Sequence, residues 1–191
     1  FPTRRSSDLT LLDKQQRVLR PAILWNDGRC GEECALLEEN VSRSRQITGN
    51  LMMPGFTAPK LLWVRRHEPE NFQRTATVLL PKDYLRYRMT GKKVSDMSDA
   101  AGTLWLDVAK RDWSDALLDK CGLSRSQMPT LVEGCEISAT LDPQVAARWG
   151  LNASVVVAGG GGITRLAPLA SARFRRGMRL FRSAPPGCCL W

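Results

Sequence analysis

One short run carries side chains suited to a polyol. Trp25-Asn26-Asp27-Gly28-Arg29 closes the apolar pair Ile23-Leu24. An indole offers a flat face to the carbon side of a sugar, and an amide, a carboxylate and a guanidinium offer donors and acceptors to its hydroxyls. Arg29 can equally lock Asp27. On the residues alone, a strand-end turn closed by that internal pair is the more economical reading. A second run, 53–57, holds Pro54 and Gly55. Gly55 and Phe56 can bring main chain close to a ligand, or Gly55 can be a plain turn glycine. A third run, the glycines 159–162, follows an apolar strand but lacks the Lys-Ser/Thr of a Walker loop, so alone it is a weak phosphate signal. Cys30 and Cys34 lie one helical turn apart without further ligands, and the single histidine, His67, has no evident partner, so no metal site is expected.

Short strands alternating with helices must position these runs, which predicts an α/β fold. A hairpin is expected from Leu11-Leu12-Asp13 and Arg17-Val18-Leu19, turning over 13–16. A strand over 22–25 ends at the polyol-type run. A helix over 30–39 turns Cys34, Leu37 and Val41 inward. A loop over 47–57 leads to a helix over 59–67, with Thr57 as a cap and Pro59 in the first turn. There Leu61, Leu62 and Val64 face the core, Trp63 is more a core residue than a ligand, and Lys60, Arg65 and Arg66 stay wet. Pro69 breaks that helix. A strand over 78–80, a helix over 83–89 stopped at Gly91 and a polar loop over 92–102 follow. Asp83, Asp96 and Asp99 read as caps and loop organisers. A helix capped by Asp112 or Ser114 runs through Cys121, 124–129 connects, a helix opens at Asp142-Pro143 and stops at Gly150, and a strand over 155–158 closes the region.

The order Gly55-x-Thr57-x-x-Lys60-Leu61-x-Trp63-Val64-x-Arg66-His67 resembles the first signature of the FGGY carbohydrate kinases. Three further stretches resemble the same family in the same order. They are Trp25-Asn26-Asp27-Gly28-Arg29, then Lys82-Asp83-Tyr84-Leu85 with Thr90-Gly91, then Asp96-Met97-Ser98-Asp99-Ala100. Together they resemble its bacterial xylulokinases, from about Thr10 to Gly161. The resemblance implies a partial actin-like, ribonuclease-H-like ATPase domain, a fragment of the family's N-terminal domain; with no run near the ~18 apolar residues of a membrane helix, a cytoplasmic location is the default expectation. The implied reaction moves the γ-phosphate of ATP to D-xylulose with Mg2+; another ketose or a polyol (ribulose, glycerol) is the alternative substrate. It also shifts Trp25 and Asp27 toward sugar binding, with Asn26, Arg29 and Gly55 completing the candidate set.

Phosphoryl transfer needs a base for the hydroxyl proton, donors for the phosphates and usually a metal. The family's base aspartate would follow Gly161, where this chain continues Gly162-Ile163. No catalytic residue is therefore assigned. The family's Asp-x-Gly-Thr phosphate loop, its Met-His sugar contact before Thr10 and its second domain are also absent from the sequence. The chain itself is expected to be inactive and to bind ATP and Mg2+ poorly.

Three segments follow: 1–9, 10–162 and 163–191. The first nine residues match a translation of a common short-read sequencing adaptor and are expected to carry no structural meaning. Residues 163–191 hold six arginines and no acid, and are expected to be a frameshifted, disordered tail. Regrouping plausible codons by one base turns the stretch after Gly161 into Asp-Asn-Ala-Ala-Gly, and the end into a run containing Gly-Thr-Ser, both like the family. Intact reading across Gly162 in the coding DNA would end that idea.

The net charge of +9 and pI near 9.7 invite a nucleic-acid reading. The excess lies in the two end segments, and the middle is close to balanced, so neither nucleic acid nor a membrane is an expected partner. A basic nucleic-acid module and a non-catalytic interaction protein remain the rival classes. Six cysteines without paired spacing read as reduced thiols.

Overall fold

The structure, a computed structural model, describes residues 8–161. The expected tail 163–191, and residues 1–7 of the expected leader, lie outside them. Among the described residues eight α-helices are interspersed with eight short strands, four of the helices following the first strand in succession, and the strands form four two-stranded pairs.

β1 (Thr10–Leu12) is buried throughout and runs antiparallel to β2 (Thr77–Leu79), with Thr10 opposite Leu79. The expected hairpin keeps its turn, where the Asp13 side chain accepts from the Arg17 amide at 2.9 Å. Its second arm is no strand. Only Leu12 and Val18 bridge, on the edge of β1 away from β2, and Val18 is exposed. The expected strand over 22–25 is likewise reduced to a bridge between Ile23 and Leu9. Packing also begins earlier than the expected boundary after Leu9. Leu9 is fully buried in the core and Asp8 is buried beside it, because an apolar side chain paired with Ile23 belongs inside.

α1 (Gly31–Asn40) and α2 (Ser44–Thr48) precede α3 (Thr57–His67), which packs on α1, α4 (Pro69–Arg74) and α7 (Asp115–Cys121). Thr57 does not cap α3. Phe56 occupies the cap position without a side-chain bond, and Thr57 is the first, buried helical residue. Thr57, Lys60, Leu61 and Val64 recur at the spacing of one helix face and are all buried. Burying Leu61 or Val64 contributes about 1.5–3 kcal/mol each. Pro69 ends α3 and opens α4 at its first turn, where its missing N–H costs nothing.

α5 (Pro81–Thr90) stops at Gly91, whose φ of +70° is a left-handed stop. The polar stretch expected as a loop holds β3 (Val94–Asp96) and α6 (Met97–Ala101). β3 runs parallel to β6 (Thr130–Val132). β4 (Leu106–Asp107) and β5 (Asp112–Trp113) form a small hairpin. β7 (Ile137–Thr140) pairs antiparallel with β8 (Val156–Ala158) across α8 (Pro143–Trp149), which the Asp142 carboxylate caps by accepting from the Gln144 amide at 2.8 Å. One apolar core gathers Leu9, Leu11, Leu61, Val64, Leu104, Trp105, Trp113 and Leu117. No helix among the described residues is long and apolar enough to cross a membrane.

Candidate functional site

The turn after Ile23 is closed by the Asp27 amide donating to Leu24 O at 3.1 Å. It leaves Trp25 and Asn26 exposed at its tip. Asp27 and Arg29 engage each other. Arg29 Nε donates to both carboxylate oxygens at 2.9 Å and Nη2 donates to Oδ2 at 2.7 Å. These bonds hold the Asp27 carboxyl below the usual carboxylate range, with Arg29's side chain the largest cause. The guanidinium also lies over the Trp63 indole, 4.6 Å from its centroid, and Trp63 stacks on the His67 ring. The internal pair is thus present, and it fixes Arg29 as a rigid edge of the turn. Trp63 is half-buried and packed against the core at its inner side.

The second run lies against the first. A β-carbon on Gly55 would sit 3.5 Å from Trp25 O, so the two main chains run side by side there. The Phe56 amide donates to Met53 O at 3.0 Å, which makes 53–56 a tight turn. Trp25, Asn26, Asp27, Arg29 and Gly55 therefore share one surface region.

What holds that region was missed in the sequence. Lys60 is fully buried rather than wet. Its ammonium donates to Gly55 O at 3.0 Å, and the Cys30 thiol donates to the preceding carbonyl, Pro54 O, at 3.5 Å. Two buried side chains from different helix starts thus grip consecutive carbonyls of the loop. The signal was available: Lys60 stands three residues after Thr57 and four before Val64, on the stripe that must be inside. Burial lowers the Lys60 pKa, against the opposing pull of Asp8, Cys30 and Asp27. Burial also raises Cys121 to about 12, so that thiol stays protonated.

The Lys60 environment makes a pH prediction. A lysine whose folded pKa is lowered holds its proton less tightly than the unfolded chain does. Its burial therefore costs stability wherever it is charged, and the cost is relieved as pH climbs from the folded value toward 10.5. The stability of the wild type relative to Lys60→Met should rise over that alkaline interval in urea-unfolding series. A difference that stays flat with pH would refute the assignment.

The glycine run sits at the end of β8, held by other elements. The Gly159 amide donates to Glu136 O at 2.8 Å and the Gly160 amide to Gly134 O at 2.9 Å. Gly160 has a φ of +81°. Asp96 organises α6 as expected, its carboxylate accepting from the Asp99 amide at 3.1 Å. Asp83 caps nothing. It is buried beside Lys82, whose ammonium lies 2.6 Å from Asp83, 2.5 Å from Asp96 and 3.2 Å from Asp99. Among the described residues no group of three or more His, Cys, Asp or Glu is placed to hold a metal. No disulfide joins Cys30, Cys34 or Cys121.

The model of the N-terminal domain of the FGGY family of carbohydrate kinases matches residues 3–170. The xylulose kinase of Escherichia coli strain K12 is 72% identical over 152 residues, 80% of this chain and 31% of that protein. A solved xyloylose kinase from Brucella ovis superimposes with a TM-score of 0.81 at 55% identity, over 83% of this chain and 33% of that one. A solved xylulose kinase from Rhodospirillum rubrum does so with 0.82 at 31% identity, over 89% and 35%. The chain spans 31% to 35% of the length of these relatives.

Proposed function

Because the chain belongs to the FGGY family of carbohydrate kinases, we propose that it supplies a sugar-binding wall of a kinase that transfers the γ-phosphate of ATP to D-xylulose, giving D-xylulose 5-phosphate. The observation that carries this reading is the convergence of the 25–29 turn and the Gly55 loop over the buried Lys60. The identity to xylulose kinases supports the choice of sugar. In this reading the exposed Trp25 indole lies against the carbon face of the sugar, and Asn26 reaches a hydroxyl. Asp27, held ionised by Arg29, accepts from another hydroxyl with its remaining lone pairs. Gly55 lets the main chain approach where a side chain would stand in the way.

ATP and Mg2+ supply the phosphoryl group and its charge neutralisation in such a reaction. The described residues do not form a metal site, so none of them is given that role. A proton acceptor is also wanting at the expected place. The sequence holds no Asp or Glu after Asp142, and Gly162 follows Gly161.

Calorimetry with D-xylulose on the 191-residue chain tests both parts. Saturable sugar binding is expected, weakened about tenfold or more by Trp25→Ala, the scale of losing one stacked aromatic contact. No xylulose phosphorylation is expected with ATP and Mg2+ present. Unchanged binding by Trp25→Ala would remove the proposed wall, and measurable turnover would overturn the expected inactivity.

A further inference from the structure

Arg86 is a buried cation that the sugar wall does not use. It is 6% exposed on α5, and its guanidinium reaches three elements. Nη1 donates to Val94 O at 2.7 Å, at the start of β3, and lies 3.3 Å from Asp83 Oδ1 on its own helix. Nη2 donates to Gly159 O, at the end of β8. The Gly160 amide, in the same peptide plane as that carbonyl, donates to Gly134 O at 2.9 Å. One peptide plane is therefore gripped at both ends, by a side chain from α5 and by the connection between β6 and β7.

There is no slack around it. A β-carbon on Gly159 would come within 2.3 Å of Glu133 O, and one on Gly134 within 2.4 Å of Gly160 O. Glycines let the two strands' ends close to this distance, and the left-handed φ of Gly160 turns the chain away from β8. Guanidinium suits the grip because its fixed fork points donors at carbonyls on different strands while Asp83 balances the charge.

We propose that Arg86 is a positioning residue, which fixes the orientation of the Gly159–Gly160 peptide and so the course of the chain leaving β8. The role of that course in phosphoryl transfer rests on the function proposed above. Chain leaving a strand's carboxyl end is where ligands meet open α/β sheets, so the anchor sets where Gly159 to Gly161 lie at that end.

The test uses the 191-residue chain without sugar, so its outcome is independent of whether xylulose binds. Amide exchange and the Gly159 carbonyl 13C shift are followed by NMR in wild type, Arg86→Met and Arg86→Lys. In Arg86→Met the Gly160 amide should exchange about tenfold faster or more, on the scale of one lost charge-assisted bond. The Gly159 carbonyl resonance should move as it loses its donor, while the amides of Leu61 and Val64 keep their protection. Arg86→Lys should recover part of the carbonyl shift, because one donor is restored. Unchanged Gly160 exchange and an unchanged Gly159 carbonyl in Arg86→Met would overturn the proposal. Equal loss of protection across α3 in both variants would also overturn it, making Arg86 a general core support. Should Arg86→Met not fold, Arg86→Lys decides alone: faster Gly160 exchange over an intact α3 supports the anchor, and wild-type exchange sinks it.

Discussion

Trp105→Ala should cost the folded chain about 3–5 kcal/mol, the usual range for truncating a buried tryptophan. Trp105 is 1% exposed and is the largest fully buried side chain among the described residues. Its indole N–H donates to Cys121 Sγ at 3.2 Å, tying the start of β4 to the last turn of α7. Its amide donates to Thr103 Oγ1 at 3.1 Å, and its carbonyl accepts from the Ser114 amide at 2.7 Å. The main chain there is held from both sides, so the core cannot collapse into the space an alanine leaves. A domain of this size has about 5–15 kcal/mol in total. The substitution should therefore take much of it, seen as a large drop in the urea midpoint with little change in slope. Trp105→Phe should cost less, since it keeps most of the volume and loses the bond to sulfur. A loss below about 1 kcal/mol for the alanine variant would mean the side chain is not where the core needs it.

Lys82→Met should be comparably severe for a different reason. Lys82 faces three carboxylates that are at most 3% exposed: Asp83, Asp96 and Asp99. Among the described residues, Asp96 Oδ1 and Asp99 Oδ2 meet no polar partner besides the ammonium. Arg86 is the other cation of the cluster, and of these three carboxylates it pairs with Asp83. Without Lys82 the cluster holds uncompensated buried charge, which costs about 3–5 kcal/mol when one partner of a buried pair is removed. Acid should rescue the variant. Burial already raises the Asp83 pKa, so its folded form takes a proton more readily than the unfolded chain. For such a group stability falls as pH rises through the interval above 3.8, and losing the ammonium widens that interval. Unfolding midpoints of Lys82→Met should therefore approach the wild type as pH is lowered from neutral. A deficit independent of pH would mean lost packing rather than unpaired charge.

These sites show where the sequence was readable. α5 and α8 carry their own punctuation: a proline in the first turn and a left-handed glycine at the end, Gly91 and Gly150. α3 has an apolar stripe strong enough to place it within two residues. The short strands have no such marks. β3 buries Ser95 and Asp96, whose polarity reads as loop, and it becomes a strand only because β6 lies beside it. The arm after Asp13 read as a strand from its apolar residues, but it meets β1 only at the Leu12–Val18 bridge, where Val18 stays exposed and has no burial to gain. The candidate site was legible as residue types in two separate runs. Their adjacency came from the family resemblance, since nothing local to Trp25 announces Gly55. Lys60 reads as wet from its charge, but its position on the stripe puts it inside, where Gly55 O accepts a hydrogen bond from its ammonium.

The pairing of β1 with β2 also bears on how the chain is made. Thr10 cannot meet Leu79 until everything from α1 to α4 has left the ribosome. Until then Leu11 and Leu12, which end fully buried, stay uncovered on a growing polypeptide. Contacts this distant in sequence slow folding, because a long loop must close before any bond rewards it. β1 is made well before the strand that pairs with it, and that interval is when a chaperone or an aggregate would find it.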